Sequence, residues 1–264
     1  MARPKHDPWP AVPWSWAWGG MAAGVLLAIA LFAPARWLAA GLRQASSGRI
    51  MLDDVRGTVW TGSARLLLAG GEGSNAVAAL PGRLDWRIRP AWGGVRAELQ
   101  AACCTRQPLT LQGRPRWGGG TVLIGDQQSQ WPAAVLAGLG TPWNTLQVEG
   151  ELQLSTRGLS VEWNEGRVAI AGRAELTASR LSSRLSTLRP MGSYRITLNG
   201  GSTSTLQLET LDGALQLVGS GQWVGSRLRF SGTASAAPDR EAALANLLNI
   251  IGRRRGARSI ITIG

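Results

Sequence analysis

The 264-residue chain has one histidine, His6, and one lysine, Lys5, both within its first six residues. A Ser-His-Asp or Cys-His nucleophile arrangement therefore has no histidine to draw on in the rest of the chain, and histidine-rich metal sites go with it. Cysteine is almost as scarce. Cys103 and Cys104 are adjacent, so on a strand their side chains point to opposite faces. They read as two small apolar fillers or, in an oxidising compartment, as a vicinal disulfide that strains the local backbone. Two thiols without histidine do not complete a zinc site. Acidic residues number 16 against 28 basic ones, for a net charge of +12. That excess invites a nucleic-acid reading. After residue 45, however, arginines mostly occur singly, the run Arg253–Arg255 apart, and no helix-turn-helix or zinc-finger spacing accompanies them, so no nucleic acid is expected.

The few carboxylates do not compose a reaction either. Glu149 and Glu151 share a strand face, as a glycosidase pair would, but Gln147 and Gln153 beside them mark that face as solvated. Asp53 and Asp54 would point in opposite directions on a strand. The glycine-rich stretches GGEGSNA (70–76) and GGG (118–120) lack the Gly-Lys-Ser/Thr that completes a phosphate cradle. No catalytic residue, cofactor or metal is expected, and the protein does not read as an enzyme.

What the chain does have is one long apolar run. From Trp14 to Ala33 the only polar side chain is Ser15. At about 1.5 Å per residue such a helix is roughly 30 Å long, the thickness of a bilayer's hydrocarbon core. Trp9, Trp14, Trp16 and Trp18 gather at one end and Trp37 lies past the other, positions favoured at membrane interfaces. The run reads as a transmembrane helix (14–35) after a short tail (1–13); a cleavable signal peptide is the rival, because Ala33-Pro34-Ala35 imitates a small-x-small cleavage site. Arg3 and Lys5 precede the helix while Arg36, Arg43 and Arg49 follow it, so charge counting does not by itself put the N-terminus in the cytoplasm. Gly20 and Gly24 form a Gly-x-x-x-Gly pair that lets a partner helix approach.

After a linker at 36–49, the rest alternates with the period of half-buried strands. In LQVEGELQL (146–154), Leu146, Val148, Leu152 and Leu154 fall on one face and polar residues on the other. LSVEW continues with Leu159, Val161 and Trp163 in phase, then NEGR as a turn and VAIAGRAEL. SYRITL, TLQLETL, ALQLV and SRLRFSG follow, with Asp212-Gly213 suited to a tight hairpin. About a dozen short, mostly antiparallel strands are expected over 50–264, in two loose halves (50–125 and 143–236) and a helix-strand cap (239–264). Only WPAAVLAGLG (131–140) and DREAALANLLNIIG (239–252) look helical there, the second with Asp239 as cap and Gly252 as stop.

This composition sets a packing problem. Many strands each present one apolar face, and two short helices are too few to cover them. The sheet must curl on itself, pack as two layers, or keep a groove for something apolar. The expected fold is therefore mainly β: one N-terminal transmembrane helix, then a curved antiparallel sheet with two short helices.

Two further stretches stand out. In RGTVWTGSARLLL (56–68), a simple strand places Thr58, Trp60 and Gly62 together. A large ring between small residues also suits a crowded bend, and Gly57, Trp60 and Gly62 are the candidate partner or bend contacts. In GRRRGAR (252–258), Arg253, Arg254 and Arg255 read as a solvated turn or as a contact for anionic headgroups or an acidic partner.

The order of these pieces resembles the type II secretion system protein N family. A membrane helix comes first, then GTVWTG (57–62), AGLGTPW (137–143) and LSTLRPMGSYRITLNGG (185–201). TLDGALQLVGSGQW (210–223), RFSGTASA (229–236) and LANLLNIIGRRRGARSIITIG (244–264) close the chain. The resemblance implies an inner-membrane protein with a cytoplasmic N-terminus and a periplasmic body. It also implies work beside the secretin and the inner-membrane platform when folded proteins leave a Gram-negative cell. The sheet is similar by analogy to AsmA-like grooves or half-pipes, which leaves an alternative: a carrier or bridge for lipid or another apolar ligand.

Overall fold

The structure is a computed structural model that describes residues 14–71, 77–165, 167–225 and 227–264; the expected tail 1–13, with His6, and most of the 70–76 stretch lie outside the described residues. The apolar run forms α1 (Trp14–Phe32), the one described helix long and apolar enough to cross a membrane, and no side chain of it is buried. Pro34, which has no N–H to continue the ladder, separates it from α2 (Ala35–Ala45). The linker expected at 36–49 is thus largely helical. Ala35 and Leu38, at helical spacing, pack α2 onto the sheet.

Sixteen described strands follow in one antiparallel sheet: β1 (Ile50–Gly57), β2 (Thr61–Ala69), β3 (Val77–Ala79), β4 (Leu84–Ala91), β5 (Gly94–Ala101), β6 (Leu109–Arg116), β7 (Gly119–Ile124), β8 (Gln127–Pro132), β9 (Glu149–Asn164), β10 (Arg167–Ser182), β11 (Gly192–Asn199), β12 (Thr205–Gly213), β13 (Leu215–Val224), β14 (Arg227–Ala236), β15 (Arg253–Arg255) and β16 (Arg258–Ile263). The path is a meander. Most neighbours in space are neighbours in sequence, β3 lies beside β2, and β7 and β8 lie one after the other along β9. The sheet is open, with β1 and β15 at its ends. The strands outnumber the expected dozen and are not all short. β9 and β10 have 16 residues each, a length of about 50 Å.

Such long strands keep one apolar face because bulges absorb the curvature. Opposite Ala171–Arg173, β9 carries one extra residue at Arg157–Ser160, with Gly158 at φ +55. Leu154 pairs with Leu176 and Val161 with Ile170, and residues 170 and 176 are in step on β10. Leu152, Leu154, Leu159, Val161 and Trp163 therefore share one face across the break. A second bulge, at Arg180 with φ +50, does the same for Leu181.

The start of LQVEGELQL departs from expectation. Leu146 ends α3 (Trp143–Leu146), Gln147 turns at φ +42, and the strand begins at Glu149; Leu146 and Val148 still reach the same core. The helix expected at 131–140 is a 3-10 helix, Ala133–Leu139, with Trp131 and Pro132 in β8. The terminal helix is α4 (Glu241–Ile251). Asp239, at φ +63, does not cap it; Arg240 occupies that position without a side-chain hydrogen bond.

Three apolar clusters lie on the apolar face. α2 covers Ala64 and Trp86, flanked by Leu52, Val55, Ile88 and Leu99. Leu80, Ala101 and Cys104 gather Leu66, Leu84, Trp131 and Val135. The largest sits under α4, where Leu244, Leu247 and Leu248 meet Leu152, Ala178, Tyr194, Leu215 and Ala234. Within it Tyr194 donates its hydroxyl to the Leu215 carbonyl at 3.1 Å, and burial pushes its pKa well above the usual phenol range. The opposite face is polar. Arg195 bridges Glu175 and Glu209, and Arg173 also meets Glu175. Exposed pairs of this kind contribute about 0–1 kcal/mol each, so it is the apolar face that holds the fold.

Candidate functional site

The helices do not cover the whole apolar face. Val95, Gly113, Val122, Val161 and Ile170 are successive cross-strand partners on β5, β6, β7, β9 and β10. None of them belongs to the three clusters. Val95 is exposed and the others are half-buried. The next pair toward the β9–β10 turn, Trp163 and Val168, is 42% and 38% exposed. The Trp163 ring lies over Gly120, where a Cβ would collide with it.

The strip extends toward the C-terminal strands as Ala174, Leu198, Leu206, Gly221, Phe230 and Ile263, again direct partners on adjacent strands. There Phe230 is buried by lying along Gly219 and Gly232. Covering the exposed half of a valine or isoleucine contributes about 1 kcal/mol. An occupant laid along this strip would therefore gain several such contributions. The strip is apolar surface that the two short helices leave outside the packed clusters.

Of the two forms the sequence allows for GTVWTG, a simple strand or a crowded bend, it takes the bend, as the β1–β2 hairpin turn. Gly57 pairs with Gly62. Gly57 has φ +88, and a Cβ there would stand 2.5 Å from the Thr61 carbonyl; a Cβ on Gly62 would run into the Trp86 ring. At the tip, the Trp60 indole N–H donates to the Ala30 carbonyl at 2.6 Å, one of the last-turn carbonyls that α1 leaves without a helical partner. The Val59 N–H donates to the Ala33 carbonyl at 2.9 Å. Trp86 shares its indole N–H between Thr58 and Val59 carbonyls, at 3.2 and 3.1 Å. The turn is thus the joint between the apolar helix and the sheet.

Beside that joint Asp54 sits at a bulge in edge strand β1, at φ +47. The Arg83 guanidinium bonds its carboxylate at 2.5 Å and holds its pKa below the usual carboxylate range, with Arg56 adding to the effect. Folding thereby favours the charged form, so the associated stability is present above the ordinary carboxylate pKa of about 4 and is lost as pH falls below it.

The remaining candidate residues stand apart. Gly20 and Gly24 lie one turn apart on α1, with nothing within 4 Å of a Cβ at either. Arg253, Arg254 and Arg255 form edge strand β15 rather than a turn; the turn is at Gly256–Ala257, and Arg253 and Arg255 are exposed. Cys103 and Cys104 are joined as a vicinal disulfide, not two separate fillers, with Cys104 buried against Leu80 and Ala101. Sequence reasoning missed a repeated feature: the β4–β5 and β6–β7 turns are both Trp-Gly-Gly, at 92–94 and 117–119.

The fold is thus an apolar helix of membrane length joined to an open, one-sided antiparallel sheet. The profile of type II secretion system protein N matches residues 48–261, and the chain belongs to that family. It is thereby an accessory component of type II secretion, working with other parts of that system. Neither a curated protein nor a solved structure matches the chain.

Proposed function

We propose that the protein is a non-enzymatic scaffold of the type II secretion system, anchored in the inner membrane by α1 with its N-terminus in the cytoplasm and its sheet in the periplasm. There it contacts the inner-membrane platform and the secretin while folded proteins cross the outer membrane of a Gram-negative cell. The observation that supports this is the unfinished surface of the sheet: an apolar strip outside the three packed clusters, between edge strands that a partner's extended segment can join. Gly20 and Gly24 offer α1 a close-packing face for a platform helix. Arg253 and Arg255 on β15 offer an acidic partner a charged edge. A clean deletion should lower exoprotein export and leave cytoplasmic and periplasmic enzymes in place; unchanged export while the pathway is active would overturn the proposal.

A second reading rests on the same strip. A row of valine and isoleucine half in water suits an acyl chain, so the sheet would hold or bridge lipid in the manner of an AsmA-like half-pipe. Full-length protein purified from cells should then carry phospholipid or lipopolysaccharide detectable by mass spectrometry. Lipid-free protein with an intact fold ends this reading.

A further inference from the structure

We infer that the two Trp-Gly-Gly loops and the arginine cleft beside the first of them form a contact site for anionic phospholipid headgroups of the bilayer that α1 enters. The inference rests on the reading of α1 as a membrane anchor.

The two loops share one construction. Trp92-Gly93 joins Ala91 to Gly94 and Trp117-Gly118 joins Arg116 to Gly119. Gly93 and Gly118 take φ +72 and +76, a region that favours glycine. The following Gly94 and Gly119 press on the backbone carbonyls of Gly113 and Trp163, leaving no room for a Cβ. Each loop is therefore held tightly at its base while its indole projects from the tip. Trp92 and Trp117 are 102% and 103% exposed, so neither ring is sheltered by the fold. Two bare indoles on rigid stalks are poorly placed for water and well placed for a bilayer interface, where an amphipathic ring is half solvated.

The polar face below Trp92 carries the matching charge. A cleft there is lined by Arg89, Arg96, Arg114, Gln112 and a single acid, Glu98. Arg89 and Arg96 are direct cross-strand partners. Arg114 lies two residues beyond Gln112, the partner of Arg96 on β6. Like charges held opposite each other destabilise a sheet, and among the described residues none of these three arginines forms an ion pair. A phosphate with several acceptor oxygens relieves that repulsion through charge-assisted bonds.

Position identifies the occupant. α1 touches the sheet through Ala30, and the chain just past its end through Ala33, at the β1–β2 turn. The Ile88 N–H bonds the Trp60 carbonyl at that level, and β4 runs on past it to Trp92, a further four residues or about 13 Å. The loops thus project from the end of the sheet where the anchor leaves, so the nearest concentrated source of phosphate is the headgroup layer itself.

The test uses the full chain, labelled with fluorotryptophan and placed in nanodiscs of phosphatidylcholine with or without phosphatidylglycerol. W92F and W117F assign the two loop resonances. A lipid bearing a headgroup nitroxide should broaden both several-fold in the anionic discs. R89Q/R96Q/R114Q should abolish that broadening while the other indole resonances show the variant folded. Loop resonances broadened only by a water-soluble nitroxide overturn the inference, and equal broadening in neutral discs overturns the role of the arginines. A shift with inorganic phosphate but no broadening by the nitroxide lipid assigns the cleft to a free anion and also overturns the bilayer contact. Trp14, Trp16 and Trp18 report separately on α1; if they too escape the lipid nitroxide, it is the anchor reading that fails.

Discussion

Replacing Val122, Val161 and Ile170 together by threonine asks whether the strip is a surface or an interior. The three are consecutive partners on β7, β9 and β10. Threonine keeps their β-branched shape and strand preference, so the change is mainly one of polarity. In a sealed core each hydroxyl without a partner costs about 1–3 kcal/mol. The triple variant would then lose about 3–9 kcal/mol, much of a domain's usual total of about 5–15 kcal/mol. On an open strip the hydroxyls meet water or an occupant's edge, and the loss is about 1 kcal/mol, chiefly from the methylene removed at Ile170. For a body of this size 1 kcal/mol corresponds to about 2–4 °C in Tm. Circular-dichroism melts of the full chain in detergent should therefore show a drop of about 2–4 °C. In cells, the same variant should accumulate normally while exoprotein export or retained lipid falls. A drop of about 6 °C or more, or loss of the cooperative transition, refutes the open strip.

Leu247→Ala, under α4 and 1% exposed, should by contrast cost about 2–5 kcal/mol in the same melts; a loss below 1 kcal/mol would mean α4 is not a true lid. Because burial raises the Tyr194 pKa, the folded state keeps that proton more tightly than the unfolded chain does. The linked stability is full below about pH 10 and declines above it. Tyr194→Phe should lose about 1 kcal/mol at neutral pH with the Leu215 hydrogen bond, yet decline less steeply than the parent in alkaline melts; parallel alkaline curves would contradict this. Replacing Arg253, Arg254 and Arg255 by glutamine should weaken the association of the protein with an acidic secretion-system partner, and most so at low salt. Binding by the parent that is indifferent to salt rejects the charged edge.

The strand body was legible because its period is regular: Leu152 and Leu154, then Leu159, Val161 and Trp163, announce a one-sided sheet. The bulge that joins the two phases was not, since Gly158 reads as any other glycine until its partner strand is known. α2 was hidden because Ala35, Leu38 and Leu42 follow so closely on the apolar run that they merge with it. GTVWTG was ambiguous because it lacks the Asn-Gly or Asp-Gly that marks a two-residue hairpin turn; its geometry comes from α1 and Trp86, which are distant in sequence. Arg253–Arg255 carries no strand signal of its own, and its conformation is imposed by pairing with β16. The candidate site was legible only as a demand. Surplus apolar faces require that the sheet curl on itself, pack as two layers or keep a groove, but which residues stay uncovered depends on where α2, the 3-10 helix and α4 come to rest.

The most direct test places a photoreactive side chain at Val161 in the strip, with Gln207 on the polar face of β12 as its control, in cells that are actively secreting. Adducts from position 161 containing a platform protein, the secretin or a lipid, with none from position 207, are the predicted result. Silence at 161, or the same adducts from both positions, would contradict an uncovered strip as the working surface of this scaffold.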